Sequence, residues 1–276
     1  MNVTQAVACL CQTKPNTLWT MVTIPSIAAV SYLNTIPFIY GIRHEGNLRA
    51  NLLLTPPAGC YANYAEGRAD IALMPSAMVP SLKSTSIITD YCIGASGSVR
   101  TIELFSNVPI AQVRRVFLDA ESLTAAQMVG YLAANLWHIA PEWYELTDYS
   151  QVAFAEPTDA FLLVGDKVFD HEGLFNYNYD LSDEWRKATG MPFAFAVWVA
   201  RKGTPYEHID ALERALTFGV ESIWEAVVES GYDQKHYNAY EYLTQNIDFV
   251  FNAEKHAALQ KFWDAGVKIA PRANPG

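Results

Sequence analysis

The chain has 276 residues, of which 51% are hydrophobic and 17% are charged, and this composition predicts well-packed lobes rather than long disordered stretches. A formal net charge of −10 argues against a nucleic-acid partner, because binding to phosphates needs a basic surface. A small anionic ligand is compatible with this charge, since such a ligand responds to local hydrogen-bond donors.

The N-terminal residues do not have the pattern of a secretory signal, because no Lys or Arg precedes the short apolar run at residues 6–11. No stretch of about 18 apolar residues occurs, so we predict no transmembrane helix and no membrane partner. Residues 1–20 are interpreted as an N-terminal extension of a cytoplasmic protein. None of the cysteines has the spacing of a zinc site, and free thiols are predicted. They are Cys9, Cys11, Cys60 and Cys92.

Strand-like and helix-like segments alternate along the chain, which is the pattern of an α/β fold. Proline favours the first turn of two of the helices, and a capping box precedes the helix that begins near Tyr206. The predicted strands are residues 27–30, 52–54, 70–74, 116–118, 159–164 and 193–198. The predicted helices begin at residues 37 and 205 and cover residues 58–66, 124–137 and 253–265. Apolar residues at positions 212, 216, 220, 223 and 227 form one stripe after position 205, and we expect the C-terminal helices to brace the first lobe.

The segments 70–75 and 159–166 have similar patterns, which predicts two lobes of equivalent plan. Ligands in parallel-sheet folds bind beyond the carboxyl ends of the strands, where helix N-termini point inward. Polar segments at the predicted strand ends are therefore candidates for a cleft between the lobes. They are residues 31–35, 75–76, 98–101, 119–124 and 165–166.

Each candidate segment also has a simpler structural interpretation. Ser31, Asn34 and Thr35 suit a carboxylate site and the capping of the next helix about equally. The glycines and serines of residues 94–101 favour a ligand loop over a plain surface loop, and Arg100 is suited to a bidentate carboxylate contact. Helix capping is the stronger interpretation of residues 119–124, and Asp166 suits either a turn or the cleft.

Other catalytic patterns are missing from the sequence. The six histidines are scattered without metal-ligand spacing, and no G-x-S-x-G, P-loop or strand-linked G-x-G-x-x-G motif occurs. The aromatic run at residues 193–198 is interpreted as core packing.

Several blocks, in order, resemble one enzyme family. The first two are Ala29–Pro37 and Gly67–Pro75. The third is Gly97–Thr101 followed by Leu104–Pro109, and the fourth is Leu181–Trp185 followed by Thr189–Trp198. Together the matches run from about Ile24 to Arg201 and resemble chorismate dehydratase, the first enzyme of the futalosine route to menaquinone.

The resemblance implies a two-lobed, periplasmic-binding-protein-like type II α/β fold with a ligand cleft between the lobes. Lobe one would comprise residues 21–108 and 201–276, and lobe two residues 109–200. It also implies dehydration of a dianionic small molecule, chorismate, to 3-[(1-carboxyvinyl)oxy]benzoate without a metal or organic cofactor. The family usually has Ser-Arg-Thr-Ser where this chain has residues 122–125, Ser-Leu-Thr-Ala, so one arginine and one serine are missing.

From these motifs we expect Asn34 and Ser98 to be catalytic. The expected substrate-binding residues are Ser31, Tyr32, Thr35, Ser76, Arg100, Thr124 and Asp166. No base stands out, so the substrate's own carboxylate is the candidate proton acceptor. Two alternatives stay open: a non-catalytic binding protein for small anions, and the related 1,4-dihydroxy-6-naphthoate synthase. The oligomeric state is not predicted.

Overall fold

A computed structural model describes residues 24–232 and 237–273, and two β-sheets organise this part of the chain. The strands are β1 (Ser26–Val30), β2 (Asn51–Thr55), β3 (Ile71–Pro75), β4 (Thr85–Ala95), β5 (Ile102–Ser106), β6 (Arg115–Asp119), β7 (Glu142–Leu146), β8 (Asp159–Val164), β9 (Tyr177–Asp180), β10 (Phe193–Arg201) and β11 (Asp248–Val250). The α-helices are α1 (Ile36–His44), α2 (Pro57–Ala65), α3 (Leu123–Leu132), α4 (Leu181–Thr189), α5 (Tyr206–Glu221), α6 (Ile223–Ser230), α7 (Ala239–Gln245) and α8 (Ala253–Asp264).

The first sheet has six strands in the order β11-β4-β10-β3-β1-β2. Strands β1, β2 and β3 run parallel, with α1 and α2 as the crossover helices, while β10 pairs antiparallel with both β3 and β4. All five residues of β3 are buried, as expected for a strand in a sheet that is covered on both faces.

The second sheet has five strands in the order β7-β6-β8-β5-β9. Strands β6, β7 and β8 run parallel, whereas β5 pairs antiparallel with β8 and β9. Phe117 and Phe161 stack with ring centroids 5.1 Å apart and form the centre of a small aromatic core in this lobe. The two sheets are the lobes predicted from the alternating pattern.

The division of the chain between the lobes differs from the predicted one. Strand β5 lies in the second sheet and β10 in the first, so the chain crosses after Ala95 and returns before Phe193. The lobe boundaries implied by the resemblance, at residues 108/109 and 200/201, are therefore wrong. The composition of an apolar strand does not show which sheet the strand joins, because its partner depends on hydrogen-bond register.

The tail packs against the first sheet, as its apolar stripe predicted. Helix α5 contacts α1, and α8 contacts β10. The stripe is interrupted, however, because α5 ends at Glu221 and α6 begins at Ile223, with Ser222 outside helical geometry between them. Helix α3 likewise ends at Leu132, where the predicted helix continues as a single π-helical turn.

No helix in the described ranges is long and apolar enough to cross a membrane. Cys60 and Cys92 are buried free thiols, as predicted. Burial raises the pKa of the Cys60 thiol to about 11. The predicted extension, with Cys9 and Cys11, lies outside the described residues.

Candidate functional site

A cavity of about 60 Å³ lies between the two sheets. Its walls come from the ends of β1, β3, β4 and β8, from the first half of β10, from the start of β5, and from the first turns of α2 and α3. The lining residues are Val30, Tyr32, Asn34, Pro57, Pro75, Ile93, Thr101, Ile102, Ser122, Leu123, Thr124, Ala125, Val164, Gly165, Phe195 and Ala196. The cavity therefore occupies the place where parallel-sheet folds bind ligands.

Asn34 and Tyr32 form the wall contributed by the segment after β1. A single 3-10 turn, Leu33–Thr35, holds both side chains ahead of α1. The Asn34 Oδ1 atom is buried and has no hydrogen-bond partner among the described residues. The Tyr32 hydroxyl donates to Glu121 Oε2 at 2.6 Å. Asn34 thus lines the cavity with a side-chain oxygen that no described residue pairs with, whereas the Tyr32 hydroxyl is already paired.

Thr35 has a structural role in the turn after β1 and does not line the cavity as a binding residue. Its hydroxyl is within hydrogen-bond distance of two backbone carbonyls, Val30 O at 2.6 Å and Tyr32 O at 2.7 Å. The side chain is fully buried and does not line the cavity. It tightens the turn that presents Asn34.

The opposite wall is the start of α3, where all four residues of the segment 122–125 line the cavity. The first N–H groups of a helix lack intrahelical acceptors and favour a negative charge. Ser122 occupies the N-cap position but makes no side-chain cap hydrogen bond. The Thr124 hydroxyl donates to Phe195 O at 3.1 Å and accepts from Ala77 N at 3.3 Å, so it joins α3 to the first lobe.

A charged network supports the cavity from behind Tyr32. Lys167 Nζ lies 2.7 Å from Asp119 Oδ2 and 3.1 Å from Glu121 Oε2. Burial alone would raise the pKa of Glu121, but the hydrogen bonds from Tyr32 and Lys167 outweigh burial and lower it. Burial and the adjacent Glu121 raise the pKa of Tyr32. Tyr32 is therefore a neutral donor, and Glu121 is an ionised carboxylate.

Ser98 and Arg100 lie elsewhere than we expected. Asp180 Oδ2 accepts hydrogen bonds from Ser98 Oγ and from Arg100 N, each at 2.7 Å. Arg100 has a φ of 60°, and its guanidinium pairs with Glu172 at 2.8 Å. The left-handed backbone at Arg100 and the hydrogen bonds to Asp180 direct both side chains towards a separate hollow on the second lobe. Neither residue lines the cavity, which corrects both expectations.

Three further predicted residues also lie outside the cavity lining. Ser31 is exposed, and Ser76 is fully buried, with its carbonyl accepting from Trp263 Nε1 at 2.9 Å. Asp166 accepts from Leu33 N at 3.0 Å and from the Tyr232 hydroxyl at 2.8 Å. Asp166 is thus a contact between the lobes rather than a cavity side chain.

Of the nine predicted residues, the structure brings Tyr32, Asn34 and Thr124 together at the cavity. Three other residues also line the cavity. Thr101 and Ser122 belong to candidate segments but were not predicted as site residues, and Phe195 was interpreted as a core residue. No lining side chain among the described residues is charged. No group of three His, Cys, Asp or Glu within the described ranges is placed to hold a metal ion.

The chain is similar to known proteins in sequence and in fold. A chorismate dehydratase of Thermus thermophilus is 24% identical over 192 residues, which cover 63% of this chain and 69% of that protein. An Archaeoglobus fulgidus protein has a similar structure, with a TM-score of 0.68, 14% identity and coverage of 87% of this chain and 95% of its own.

The periplasmic aliphatic sulphonate binding protein of Escherichia coli has a TM-score of 0.58 at 12% identity, covering 88% and 91% of the two chains. A Candida albicans protein described as having the generic periplasmic binding protein fold has a TM-score of 0.55 at 11% identity, covering 92% and 99%. The predicted two-lobed fold is confirmed. The sequence model of the family described as menaquinone biosynthesis matches residues 25–268, and the chain belongs to that family.

Proposed function

We propose that the chain is a chorismate dehydratase, which converts chorismate to 3-[(1-carboxyvinyl)oxy]benzoate and water. The observation that carries the proposal is the cavity itself. Its two polar walls are Asn34 and the start of α3, which lie in the segments that correspond to the family's motifs. The Thermus thermophilus relative supports the same reaction.

The reaction requires the protein mainly to bind the substrate and to orient it. The ring hydrogen on the carbon that bears the enolpyruvyl ether is acidified by the conjugated ring carboxylate. Its loss as a proton leaves an electron pair that forms the new double bond while the bond to the neighbouring hydroxyl breaks. The hydroxide takes up a proton as water, and the ring becomes aromatic. The protein must hold the two carboxylates and the leaving hydroxyl.

The donors at the cavity suit these demands. The first-turn N–H groups of α3 and the Ser122 hydroxyl are positioned for one carboxylate. Asn34 lines the cavity, and the N–H groups of its side-chain amide suit the leaving hydroxyl, which develops negative charge and needs a hydrogen-bond donor. Thr124 contributes by joining α3 to the first lobe rather than by binding the substrate with its hydroxyl.

The residues that line the cavity also indicate which group removes the ring proton. No His, Asp, Glu or Lys lines the cavity among the described residues, and the pKa of Tyr32 is raised. Glu121 lies behind Tyr32, and its lowered pKa makes it a weak proton acceptor. This favours removal of the proton by the substrate's own carboxylate.

Incubation of the purified protein with chorismate tests the proposal. We expect an aromatic product, seen by absorbance, whose mass corresponds to chorismate less one water. Binding of intact chorismate without turnover would instead indicate a solute-binding protein. Turnover of a cyclic futalosine derivative, with chorismate unchanged, would indicate the naphthoate-forming enzyme. Either result would overturn the dehydratase proposal.

A further inference from the structure

We propose that Lys167 is a positioning residue for the reaction at this cavity, because it holds Glu121 in place as the acceptor of the Tyr32 hydroxyl and so fixes the Tyr32 ring in the cavity wall. The kinetic consequence rests on the proposed function, whereas the contacts can be measured without a substrate.

Tyr32 follows β1 in the first lobe, but its ring and its hydroxyl are both held by the second lobe. The ring lies against Gly165, where an added Cβ atom would come within 2.8 Å of two ring carbons. The φ of Gly165 is 79°, a backbone conformation that favours glycine. The hydroxyl donates to Glu121 Oε2 at 2.6 Å. Tyr32 and Gly165 line the cavity and Glu121 does not, so Glu121 affects the cavity through Tyr32.

Lys167 also lies outside the cavity lining, and it is the cation that holds Glu121. Its Nζ atom lies 3.1 Å from Glu121 Oε2, the same oxygen that accepts from Tyr32. It also lies 2.7 Å from Asp119 Oδ2, on a side chain that is fully buried at the end of β6. The other Asp119 oxygen accepts from the Tyr149 hydroxyl at 2.9 Å. Lys167 is therefore shared between two carboxylates, one of which bonds to the cavity wall.

The charges keep this arrangement in one protonation state. Burial alone would lower the pKa of Lys167, but the hydrogen bond and the charge of Asp119 outweigh burial and raise it. Lys167 therefore stays an ammonium group, and its contact with Glu121 favours the ionised carboxylate. An ionised carboxylate is a stronger acceptor for a phenol than a protonated one. Without Lys167, burial would raise the pKa of Glu121 and weaken the hydrogen bond from Tyr32.

A change at Tyr32 affects the site of the reaction, because one residue separates Tyr32 from Asn34 and both line the cavity. The residue between them, Leu33, donates its backbone N–H to Asp166 Oδ1 at 3.0 Å. Asp166 directly precedes Lys167 in the chain. The segment after β8 thus holds the turn that presents both cavity side chains.

Lys167→Met removes the charge and keeps most of the length of the side chain, so it is the direct test. We expect kcat/KM for chorismate to fall at least about tenfold, because a displaced Tyr32 no longer orients the substrate. An unchanged kcat/KM overturns the proposal.

Arg115→Met is the matched control. The Arg115 guanidinium pairs with Asp159 at 2.7 Å, and this aspartate is 3% exposed. Both ion pairs join β6 to β8 or to the segment that follows it, at opposite ends of the strands, but Arg115 is not part of the cavity lining. We expect both variants to unfold at lower urea concentration than wild type, and only Lys167→Met to lose activity. Equal losses of kcat/KM would indicate a general weakening of the second lobe and would overturn the proposal.

A double-mutant cycle with Tyr32→Phe distinguishes positioning from a structural role. Without its hydroxyl, the ring no longer bonds to Glu121. Lys167→Met should then lower kcat/KM by less than about twofold in the Tyr32→Phe background, against at least about tenfold in wild type. If Lys167→Met does not fold, Glu121→Ala removes the acceptor, leaves the pair of Lys167 with Asp119 intact, and is compared in the same two backgrounds. Equal losses in the two backgrounds overturn the proposal in either case.

NMR of protein labelled with ¹³C at the tyrosine ζ-carbon separates this inference from the proposed function. The Tyr32 signal, assigned by its absence from Tyr32→Phe, should shift in Lys167→Met and not in Arg115→Met. If the wild type leaves chorismate unchanged, the proposed function fails while this signal still tests the contact. An unshifted Tyr32 signal in Lys167→Met overturns the positioning role whatever the substrate.

Discussion

The polar residues at the strand ends differ in whether their side chains hydrogen-bond to other groups of the protein. Thr35 and Thr124 use their hydroxyls within the protein, whereas the Oδ1 atom of Asn34 has no partner among the described residues. All three looked alike in the sequence, because each is a small polar residue beside a helix start. Motif and position were sufficient to predict Asn34, Tyr32 and Thr124 at the cavity. They were not sufficient for Arg100, whose direction depends on its backbone φ and on Asp180, 80 residues away.

Replacement of Asn34 by Ala should lower kcat for chorismate at least about a hundredfold, because the residue contacts the leaving hydroxyl in the transition state. Steady-state kinetics measure this effect. Asn47→Ala, at an exposed asparagine of the turn after α1, should behave as wild type. Wild-type turnover by Asn34→Ala would remove this residue from the mechanism.

Leu123 offers a test in which stability and binding change in opposite directions. It is the first residue of α3 and is partly exposed at the cavity. An aspartate there suits the helix N-terminus but repels a dianionic substrate. We expect Leu123→Asp to raise KM at least about tenfold over Leu123→Asn, which has the same shape without charge. The melting temperature of Leu123→Asp should not fall below that of Leu123→Asn. Equal KM values for the two variants would contradict anion binding at this wall.

At the scale of elements, several strands that are buried on both faces and the helices with end signals could be predicted, although the fully buried β5 was missed. β1, β3 and β8 are short apolar runs. The capping pattern of residues 204–207 marked the start of α5, although α5 has Pro205 at its N-cap and makes no side-chain cap hydrogen bond. Strand β4 was missed, because its first half is partly exposed and polar in sequence. Helix α7 is only seven residues long, which is too short for a clear helical period.

The contact between α1 and α5 depends on two glycines. A Cβ atom on Gly41 would overlap the carbonyl oxygen of Ala215, and one on Gly219 would overlap that of Pro37. Helix propensity alone favours alanine over glycine by about 1 kcal/mol. Steric overlap should dominate, so we expect Gly41→Ala to lower the free energy of unfolding by at least about 2 kcal/mol in urea titrations. Gly46→Ala, which meets nothing within 4 Å, should change it by less than about 0.5 kcal/mol. A more stable Gly41→Ala variant would show that the helices separate easily.

The molecule as a whole consists of two lobes with polar contacts across the cavity. Tyr32 and Leu33 of the first lobe bond to Glu121 and Asp166 of the second. The alternating pattern predicted two lobes, but it did not predict these contacts, which join residues about 90 and 130 positions apart.

The stability of the molecule should depend on pH through Glu103, which is 5% exposed on β5. Burial raises the pKa of its carboxyl from 4.5 to about 7, and the charges of Asp180 and Glu172 act in the same direction, although the Asn178 hydrogen bond lowers it. The folded chain thus holds a proton that the unfolded chain releases above about pH 4.5, so stability falls as the pH rises from about 4.5 to about 7.

Glu103→Gln should remove this dependence. Relative to wild type, we expect the variant to gain up to about 3 kcal/mol between pH 5 and pH 8, measured by urea unfolding at both values. Glu207→Gln, at an exposed position near the start of α5, should show no such gain. A Glu103→Gln difference that is constant with pH would contradict a raised pKa.

A crystal structure of Asn34→Ala soaked with chorismate would show whether the cavity between the lobes binds chorismate. The variant should bind the substrate but turn it over slowly. We predict intact chorismate between the sheets in an enlarged cavity, with one carboxylate at the N–H groups of residues 123–125. Chorismate bound at another surface, or an empty interlobe cavity at saturating chorismate, would contradict the account.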